Sequence, residues 1–280
     1  MTIDPIRIFI GASSSEWLPA KVLEYSIRVN TRLNIEANLL STVSRPFDLP
    51  VDKKNWPRTP FSFQRFLIPE ICDHKGRAIY LDADMLVFSD ISAVWTSDFG
   101  GADVLTTQSN TTRRQSQFSV MLLDCEKLDW SIESIIESLD KGLITYEQLM
   151  YKFVIAKNPK AHLPWSWNSL EYFDSSSVNL LHYTDMNIQP WISIKNKYCG
   201  IWISFLRRAI DDGFVQIDDV VQQVNAGFVR PSILLELLKN GDMKPSFVEK
   251  IKYYIHDFSF KAPYKSLQNR LATKIKNRYF

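Results

Sequence analysis

The segment Arg77–Phe88, which reads RAIYLDADMLVF, constrains the fold of this chain more than any other stretch. It is an apolar, β-branched and aromatic run, interrupted by the carboxylates of Asp82 and Asp84 one residue apart. Such a composition is typical of a strand inside a parallel sheet, where both faces are buried. Because two unpaired carboxylates are costly to bury, we expect the strand to end here and the acids to face a cation. Oxygen ligands of this kind suit Mg²⁺ or Mn²⁺. A strand that ends in a solvated acidic turn is the alternative.

Helix-like and strand-like segments alternate along the 280 residues, of which 45% are hydrophobic. This alternation predicts an α/β fold with a Rossmann-like, mainly parallel sheet flanked by helices. The segments beyond about Tyr198 all have helical periodicity, so we expect a domain over residues 1–197 and a helical C-terminal region over residues 198–280. The cysteines Cys72, Cys125 and Cys199 lie far apart, which predicts free thiols and no disulfide framework.

The charge of the chain is unevenly distributed. Its net charge is only +2, which argues against a nucleic-acid partner. Residues 239–280 contain ten Lys or Arg against three acids, a local balance of +7 that leaves −5 for the rest. The N-terminus has no basic, apolar leader, so we expect a cytoplasmic protein.

The first predicted strand, Ile6–Gly11, leads through a small-residue turn into a helix, as nucleotide-binding α/β folds begin. Gly11 and Ala12 at this turn are therefore candidate nucleotide contacts. There is no G-x-G-x-x-G and no P-loop lysine, so dinucleotide and P-loop binding are disfavoured. A late predicted strand, Val178–His182, ends on a histidine. Because ligands of open parallel sheets collect beyond the carboxyl ends of strands, His182 is a candidate partner of the two acids.

Three motifs in this order resemble the family 8 retaining glycosyltransferases. They are FQRFLIPE at 63–70, YLDAD at 80–84, and His182 followed by Pro190-Trp191. The family includes the glycogenins and the bacterial lipooligosaccharide galactosyltransferases, and the resemblance spans roughly Ile6 to Trp191. It implies a GT-A fold, a UDP-sugar donor, and Mn²⁺ (or Mg²⁺) held by Asp82, Asp84 and His182.

The resemblance implies further site residues. Arg65 matches the arginine that lies near the donor, and Glu147-Gln148 resembles an Asp-Gln pair on the sugar, although an ordinary exposed helix start is equally compatible. Gln117 loosely matches a donor-binding asparagine, and WSWN at 165–168 resembles a late Trp-Asn element. The chain departs from the family at Gln189, where the family has a lysine on the donor diphosphate. This change removes a cation from the leaving group.

These observations predict a metal-dependent retaining enzyme that transfers a hexose from a UDP-sugar to a glycan or glycolipid acceptor. A role in cell-surface polysaccharide or lipopolysaccharide synthesis is expected. One alternative is a phosphatase of the haloacid dehalogenase type, in which Asp82 is the nucleophile, Asp84 the general acid and Asp218-Asp219 the late acidic pair. The other alternative is a non-catalytic protein that binds a nucleotide sugar, because Gln189 replaces the family lysine.

The basic C-terminal region is also rich in aromatic residues, such as Tyr253-Tyr254 and Tyr279-Phe280. A solvated helical face with packed aromatics is one interpretation. Basic and aromatic residues together also suit an anionic membrane surface. The second interpretation predicts a peripheral protein on the cytoplasmic face of the inner membrane.

Overall fold

The structure is a computed structural model that describes residues 4–59, 61–109, 118–238 and 246–263. Its internal contacts divide the chain into two compact units, Met1–His182 and Tyr183–Phe280. We refer to them as the first and the second unit. The sequence-based domain boundary after residue 197 remains a prediction.

The described strands follow the sequence pattern closely. In chain order they are β1 (Ile6–Gly11), β2 (Ile35–Leu39), β3 (Arg77–Asp82), β4 (Met85–Val87), β5 (Val104–Thr107), β6 (Val120–Asp124), β7 (Pro159–Leu163), β8 (Ser169–Leu170) and β9 (Leu180–His182). Six of them form a sheet in the order β2-β1-β3-β6-β5-β7. β1 pairs in parallel with β2 and β3, and β5 pairs in parallel with β7, whereas β6 runs antiparallel to both of its neighbours. The predicted mainly parallel α/β sheet is therefore confirmed.

Both faces of this sheet are buried. Along β3, Ile79 and Leu81 belong to the apolar cluster on one face, and Ala78 and Tyr80 belong to the cluster on the other. Side chains alternate between the two faces of a strand, so a strand that is covered on both sides is apolar at successive positions. Burial on both faces of the sheet therefore explains why the sequence of β3 is apolar at successive positions.

The helices of the first unit are mostly short. They are α1 (Trp17–Asn30), α2 (Leu40–Val43), α3 (Phe61–Gln64), α4 (Ile68–Ile71), α5 (Ser92–Trp95) and α6 (Ile132–Asp140). The sequence predicts one helix over residues 63–71, but a 3₁₀ turn at Arg65–Leu67 separates α3 from α4. Pro69 lies in the first turn of α4, and because it has no N–H it cannot continue an α-helical ladder from the preceding turn.

A second, three-stranded sheet in the first unit has the order β4-β9-β8. β4 and β9 are antiparallel, with Met85 opposite His182, and β8 is parallel to β9. Only Ala83 and Asp84 separate β3 from β4, so the chain passes from the large sheet to the small one at the acidic motif.

The second unit is helical in its described part, with α7 (Cys199–Asp211), α8 (Ile217–Asn225), α9 (Ile233–Leu237) and α10 (Phe247–Asp257). The Asp219 carboxylate accepts a hydrogen bond from the backbone N–H of Gln216 and so caps the start of α8. This is an ordinary helix-capping role for the acidic pair Asp218-Asp219. All three cysteines are buried and free, as predicted. Among the described residues, no helix has the length and apolarity that crossing a membrane requires.

Candidate functional site

The acidic pair lies at the junction of the two sheets. β3 ends at Asp82, whose backbone N–H donates to the carbonyl of Ser119 at 3.1 Å. The next residue, Ala83, donates to the carbonyl of Gly11 at 3.2 Å, and Gly11 is the β1 partner of Asp82. The backbone N–H groups of Asp82 and Ala83 therefore both have acceptors, and both carboxylates stay partly exposed.

His182 reaches the acids through strand pairing. Because Met85 of β4 lies opposite His182 of β9, the imidazole comes next to the carboxylate that precedes β4. Its Nε2 lies 3.0 Å from Oδ1 of Asp84. One ligand atom from each of Asp82, Asp84 and His182 lies within 4.8 Å of the others. The structure thus brings the three residues together, although by pairing in the small sheet and not along one edge of the large sheet as the sequence suggested.

Asn168 orients the histidine. Its side-chain Oδ1 lies 2.9 Å from Nδ1 of His182, and its Nδ2 donates to the hydroxyls of Thr107 and Ser119 at 3.3 and 3.4 Å. With the amide oxygen towards the ring and the amide NH₂ towards the two hydroxyls, this arrangement corresponds to the tautomer with a proton on Nδ1. Nε2 is then directed at the carboxylates, which is the arrangement of a metal-ligating histidine. The sequence reading missed this role, and the Trp-Asn element was the only signal for it.

Arg65 lies beside Asp82. Its Nη2 is 3.6 Å from Oδ1 of Asp82, and its Nη1 donates to the carbonyl of Phe118 at 2.9 Å. The guanidinium carbon lies 4.5 Å from the ring centroid of Tyr80, whose hydroxyl donates to Oδ1 of Asp82 at 2.5 Å. Nε of Arg65 is buried and has no hydrogen-bond acceptor within the described segments. The arginine therefore holds one carboxylate and retains a donor for a ligand.

The charges of this cluster influence one another. Burial raises the pKa of Asp82, against the opposing effect of Arg65, and burial also raises the pKa of Tyr80. Burial alone would lower the pKa of His182, but the charge of Asp84 and the hydrogen bond to it outweigh this and raise the pKa. Two carboxylates and one imidazole in a largely buried space make a cluster that favours a cation.

Gly11 and Ala12 lie next to this cluster in different ways. A Cβ atom on Gly11 would meet the hydroxyl oxygen of Tyr80 at 2.5 Å and Cδ2 of Phe61 at 2.8 Å. Only glycine therefore leaves room for the Tyr80–Asp82 hydrogen bond. Ala12 is fully buried in the core, and its role as a nucleotide contact stays a prediction.

The remaining predicted residues are less clearly connected to the acids. Gln148 begins a π-helical turn, and its Oε1 accepts from the backbone N–H of Thr145 at 2.9 Å, while Glu147 is exposed. The ring of the adjacent Tyr146 lies 6.3 Å from that of Phe63, two residues before Arg65. The segment before the turn therefore packs against α3, which directly precedes Arg65. The sugar-binding role of Glu147 and Gln148 stays a prediction.

Two predicted donor contacts cannot be placed with the others. Gln117 lies outside the described residues. Gln189 belongs to the second unit, where it is buried and its Nε2 donates to the carbonyl of Tyr183 at 2.9 Å. Its role at a donor remains a prediction.

Comparisons with known proteins agree with this geometry. A family model described as Glycosyl transferase family 8 matches residues 20–142, which include Arg65 and both acids. Protein CDI from Arabidopsis thaliana is 32% identical over 89 residues, 31% of this chain and 34% of that protein. The chain thus matches about a third of the length of this curated relative.

Two solved structures have a similar fold. The apo form of the glycosyltransferase GlyE from Streptococcus pneumoniae TIGR4 has a TM-score of 0.52 at 15% identity, over 72% of this chain and 60% of that one. The apo structure of the bifunctional glycosyltransferase WbbM has a TM-score of 0.53 at 12% identity, over 74% of this chain and 50% of that one. The chain therefore has the α/β fold of GT-A-type glycosyltransferases, and its resemblance to the family 8 glycosyltransferases is confirmed through residues 20–142.

Proposed function

We propose that this protein is a metal-dependent, retaining glycosyltransferase that transfers a hexose from a UDP-sugar to a glycan or glycolipid acceptor. The observation that carries the proposal is the convergence of Asp82, Asp84 and His182 within 4.8 Å. The two acids lie at the end of β3 and just before β4, within the residues that the family 8 match includes, and His182 joins them from β9, outside that match.

The donor set fits a divalent ion. Two carboxylate oxygens and one imidazole nitrogen are ligands that Mn²⁺ accepts more readily than Mg²⁺, because Mg²⁺ prefers oxygen alone. The Asn168 hydrogen bond supports this assignment, since it leaves Nε2 of His182 as the coordinating atom. A bound ion would neutralise the charge that develops on the leaving diphosphate.

The residues around the acids would bind and orient the donor. Arg65 has a buried, unused Nε donor and can contact a phosphate or a sugar hydroxyl while it holds Asp82. Tyr80 fixes the orientation of the same carboxylate. Gly11 leaves the room that the Tyr80–Asp82 hydrogen bond needs, and Gln148, Gln117 and Gln189 are proposed as further donor contacts. Transfer with retention would pass through an oxocarbenium-like state.

The acceptor and the location belong to the same proposal. A glycan or glycolipid at the cell surface, as in lipopolysaccharide synthesis, would require the enzyme at the cytoplasmic face of a membrane. The excess of basic residues over 239–280 supports this location. The family lysine is replaced by Gln189, so binding of a nucleotide sugar without turnover is the second candidate function.

A panel of UDP-sugars tests the proposal. UDP-glucose, UDP-galactose and their N-acetyl forms are incubated with the full chain, with and without Mn²⁺, and UDP release is measured. We expect Mn²⁺-dependent release from one of these donors and none of it in His182→Ala. His162→Ala is the matched control, because His162 is exposed on β7 of the same unit.

The other outcomes distinguish the alternatives. Mn²⁺-dependent UDP binding by calorimetry without release from any donor would identify a nucleotide-sugar-binding protein. Hydrolysis of p-nitrophenyl phosphate that is lost in Asp82→Asn would favour a phosphatase. If UDP does not bind in either condition, the proposed site is wrong.

A further inference from the structure

Helix α10 has an apolar face that the rest of the described chain does not cover. Six large apolar or aromatic side chains are exposed, five on the helix and one directly after it. They are Phe247 (77%), Val248 (61%), Ile251 (45%), Tyr254 (66%), Ile255 (65%) and Phe258 (78%). Single exposed apolar residues are common, but a contiguous patch on one helix usually marks an interaction site.

These six residues occupy one side of the helix. Their spacing of one, four, seven, eight and eleven positions from Phe247 places them within an arc of about 120°, at roughly 100° per residue. The opposite side attaches α10 to the second unit. There Tyr253 is buried, and both carboxylate oxygens of Asp257 accept hydrogen bonds from Ser232, at 2.8 Å from its N–H and 2.7 Å from its hydroxyl. An amphipathic helix usually packs its apolar side against the protein. α10 does the opposite, because its polar side packs against the second unit and its apolar side is exposed to solvent.

Lysines flank the apolar arc on both sides. At roughly 100° per residue, Lys250 and Lys252 each lie about 40° beyond one margin of the arc. The acid Glu249 lies on the far side, where it accepts a hydrogen bond from the N–H of Ser246 and caps the helix. Lys261 follows shortly after the helix, and the sequence of residues 239–280 has a balance of +7. An apolar arc with cations at both margins matches the surface of an anionic lipid bilayer, which has negatively charged headgroups outside and apolar acyl chains below them.

We propose that the exposed face of α10 is a docking surface for an anionic lipid membrane. The helix would lie in the plane of the interface, with Phe247, Ile251 and Phe258 among the acyl chains. Lys250 and Lys252 would contact lipid phosphates, since each cation near such a surface strengthens binding several-fold. This inference assigns a structural element to the membrane location and does not depend on the proposed sugar transfer.

Vesicle sedimentation tests the docking surface with the full chain. Vesicles of phosphatidylcholine alone and with 30 mol% phosphatidylglycerol are the probes, at low and high salt and without donor or metal. We expect binding to the anionic vesicles that weakens as salt rises. Lys250→Gln with Lys252→Gln should weaken it by roughly 30-fold, and Ile251→Ser with Phe258→Ser by at least about tenfold.

The control variant is Val51→Ser with Leu143→Ser, which makes the same polarity change at exposed apolar positions of the first unit. It should bind as the unchanged chain does, and far-ultraviolet circular dichroism verifies that all variants are folded. Absence of binding to anionic vesicles, or equal binding by the Ile251/Phe258 variant, would overturn the proposal. So would a dimer in light scattering that this variant alone abolishes, because the face would then hold a second copy. Since no donor is present, an inactive enzyme that still sediments would refute only the proposed function.

Discussion

Each unit of the chain contains a cluster of buried charged side chains. The two clusters differ in whether every polar group of the central arginine has a hydrogen-bond partner. In the second unit, Arg230 is fully buried, and each of its guanidinium nitrogens has an acceptor. Nε donates to the carbonyl of Pro190 at 2.8 Å, Nη1 to the hydroxyl of Ser232, and Nη2 to Oε2 of Glu236 at 2.5 Å. In the first unit, Arg65 is equally central but lacks an acceptor for Nε among the described residues.

The acids differ in the same way. Asp82 and Asp84 retain about a fifth of their side-chain exposure, 20% and 22%, whereas Glu236 retains 11% and faces a guanidinium that retains none. A closed cluster stabilises the fold because every group has a partner already. A cluster with an unused donor and partly exposed carboxylates can instead bind a ligand. We therefore expect substitutions in the first cluster to change binding and those in the second to change stability.

The largest expected effect is the loss of metal-dependent ligand binding in Asp84→Asn. In the unchanged chain, Mn²⁺ with UDP should raise the melting temperature, because a ligand that binds only the folded state stabilises it. The variant should lose this increase. Its melting temperature without Mn²⁺ should change little, because the loss of repulsion between two neighbouring carboxylates offsets the loss of the Asp84 charge beside His182.

Thermal unfolding with and without Mn²⁺ and UDP measures both effects, with Asp98→Asn as the control, because Asp98 caps an exposed turn at Gly100. An Asp84→Asn variant that is destabilised but still stabilised by Mn²⁺ would break the comparison, because the acid would then be structural.

Removal of the central arginine of the second unit should have the next largest effect. Arg230→Met leaves Glu236 buried without its partner, and we expect the free energy of unfolding to fall by about 3–5 kcal/mol. Urea denaturation measures this, together with hydrogen exchange of the α7 and α9 amides. Arg208→Met is the control, because Arg208 is exposed on α7.

The double variant Arg230→Met with Glu236→Leu should recover much of the loss, because it no longer buries a single charge. A loss below 1 kcal/mol in the single variant would mean that the closed cluster contributes little stability.

Asn168→Ala tests the connection between orientation and binding in the first cluster. Without the amide oxygen, the imidazole of His182 can rotate or exchange its ring proton between nitrogens. We expect Mn²⁺ affinity to fall about 10- to 100-fold. Calorimetric titration of Mn²⁺ in the presence of UDP is the measurement, and Asn179→Ala is the control, since Asn179 bonds to Ser89 and Ser166 away from the histidine. Equal affinities in the two variants would remove Asn168 from the site.

Disruption of an exposed network of ion pairs should have the smallest effect on the free energy of unfolding. Arg45 pairs with Glu70 at 2.6 Å and with Glu133 at 2.7 Å, and all three side chains are exposed. Arg45→Ala should lower the free energy of unfolding by less than about 1 kcal/mol.

The pH dependence of this small difference has a definite sign. The hydrogen bond from Arg45 lowers the pKa of Glu133 from its ordinary 4.5 to about 2. Because the folded-state pKa is depressed, the contribution is complete above pH 4.5 and disappears as the pH falls towards 2. Urea midpoints of both proteins between pH 7 and 2.5 should therefore converge at low pH. A gap that widens on acidification would contradict this assignment.

Local patterns in the sequence predicted much of the fold. β1 has the predicted bounds Ile6–Gly11, and the strand before the acids ends at Asp82, as the cost of burying carboxylates required. The sequence also predicted that His182 lies near the acids, but it did so from the general rule that ligands collect beyond the carboxyl ends of parallel strands. Its actual cause, the pairing of Met85 with His182, joins residues far apart in the chain and has no local signal.

Other features depend on tertiary structure and could not be derived from the sequence. The amide of Asn168 contacts Thr107, at the end of β5, and Ser119, directly before β6. Periodicity predicts that α10 is amphipathic, but it also leads one to expect that the apolar side docks. The hydrogen bonds from Ser232 to Asp257 determine the opposite arrangement, and no local pattern reveals them.

The pairing of Met85 with His182 also has a consequence for the synthesis of the chain. At about 5–20 residues per second, the ribosome would add His182 roughly 5–20 s after Asp84. During this interval the acids can form the end of β3, but β4 lacks its partner strand and the imidazole is absent. The three groups of the proposed metal site therefore come together in a nascent chain only after His182 has been added.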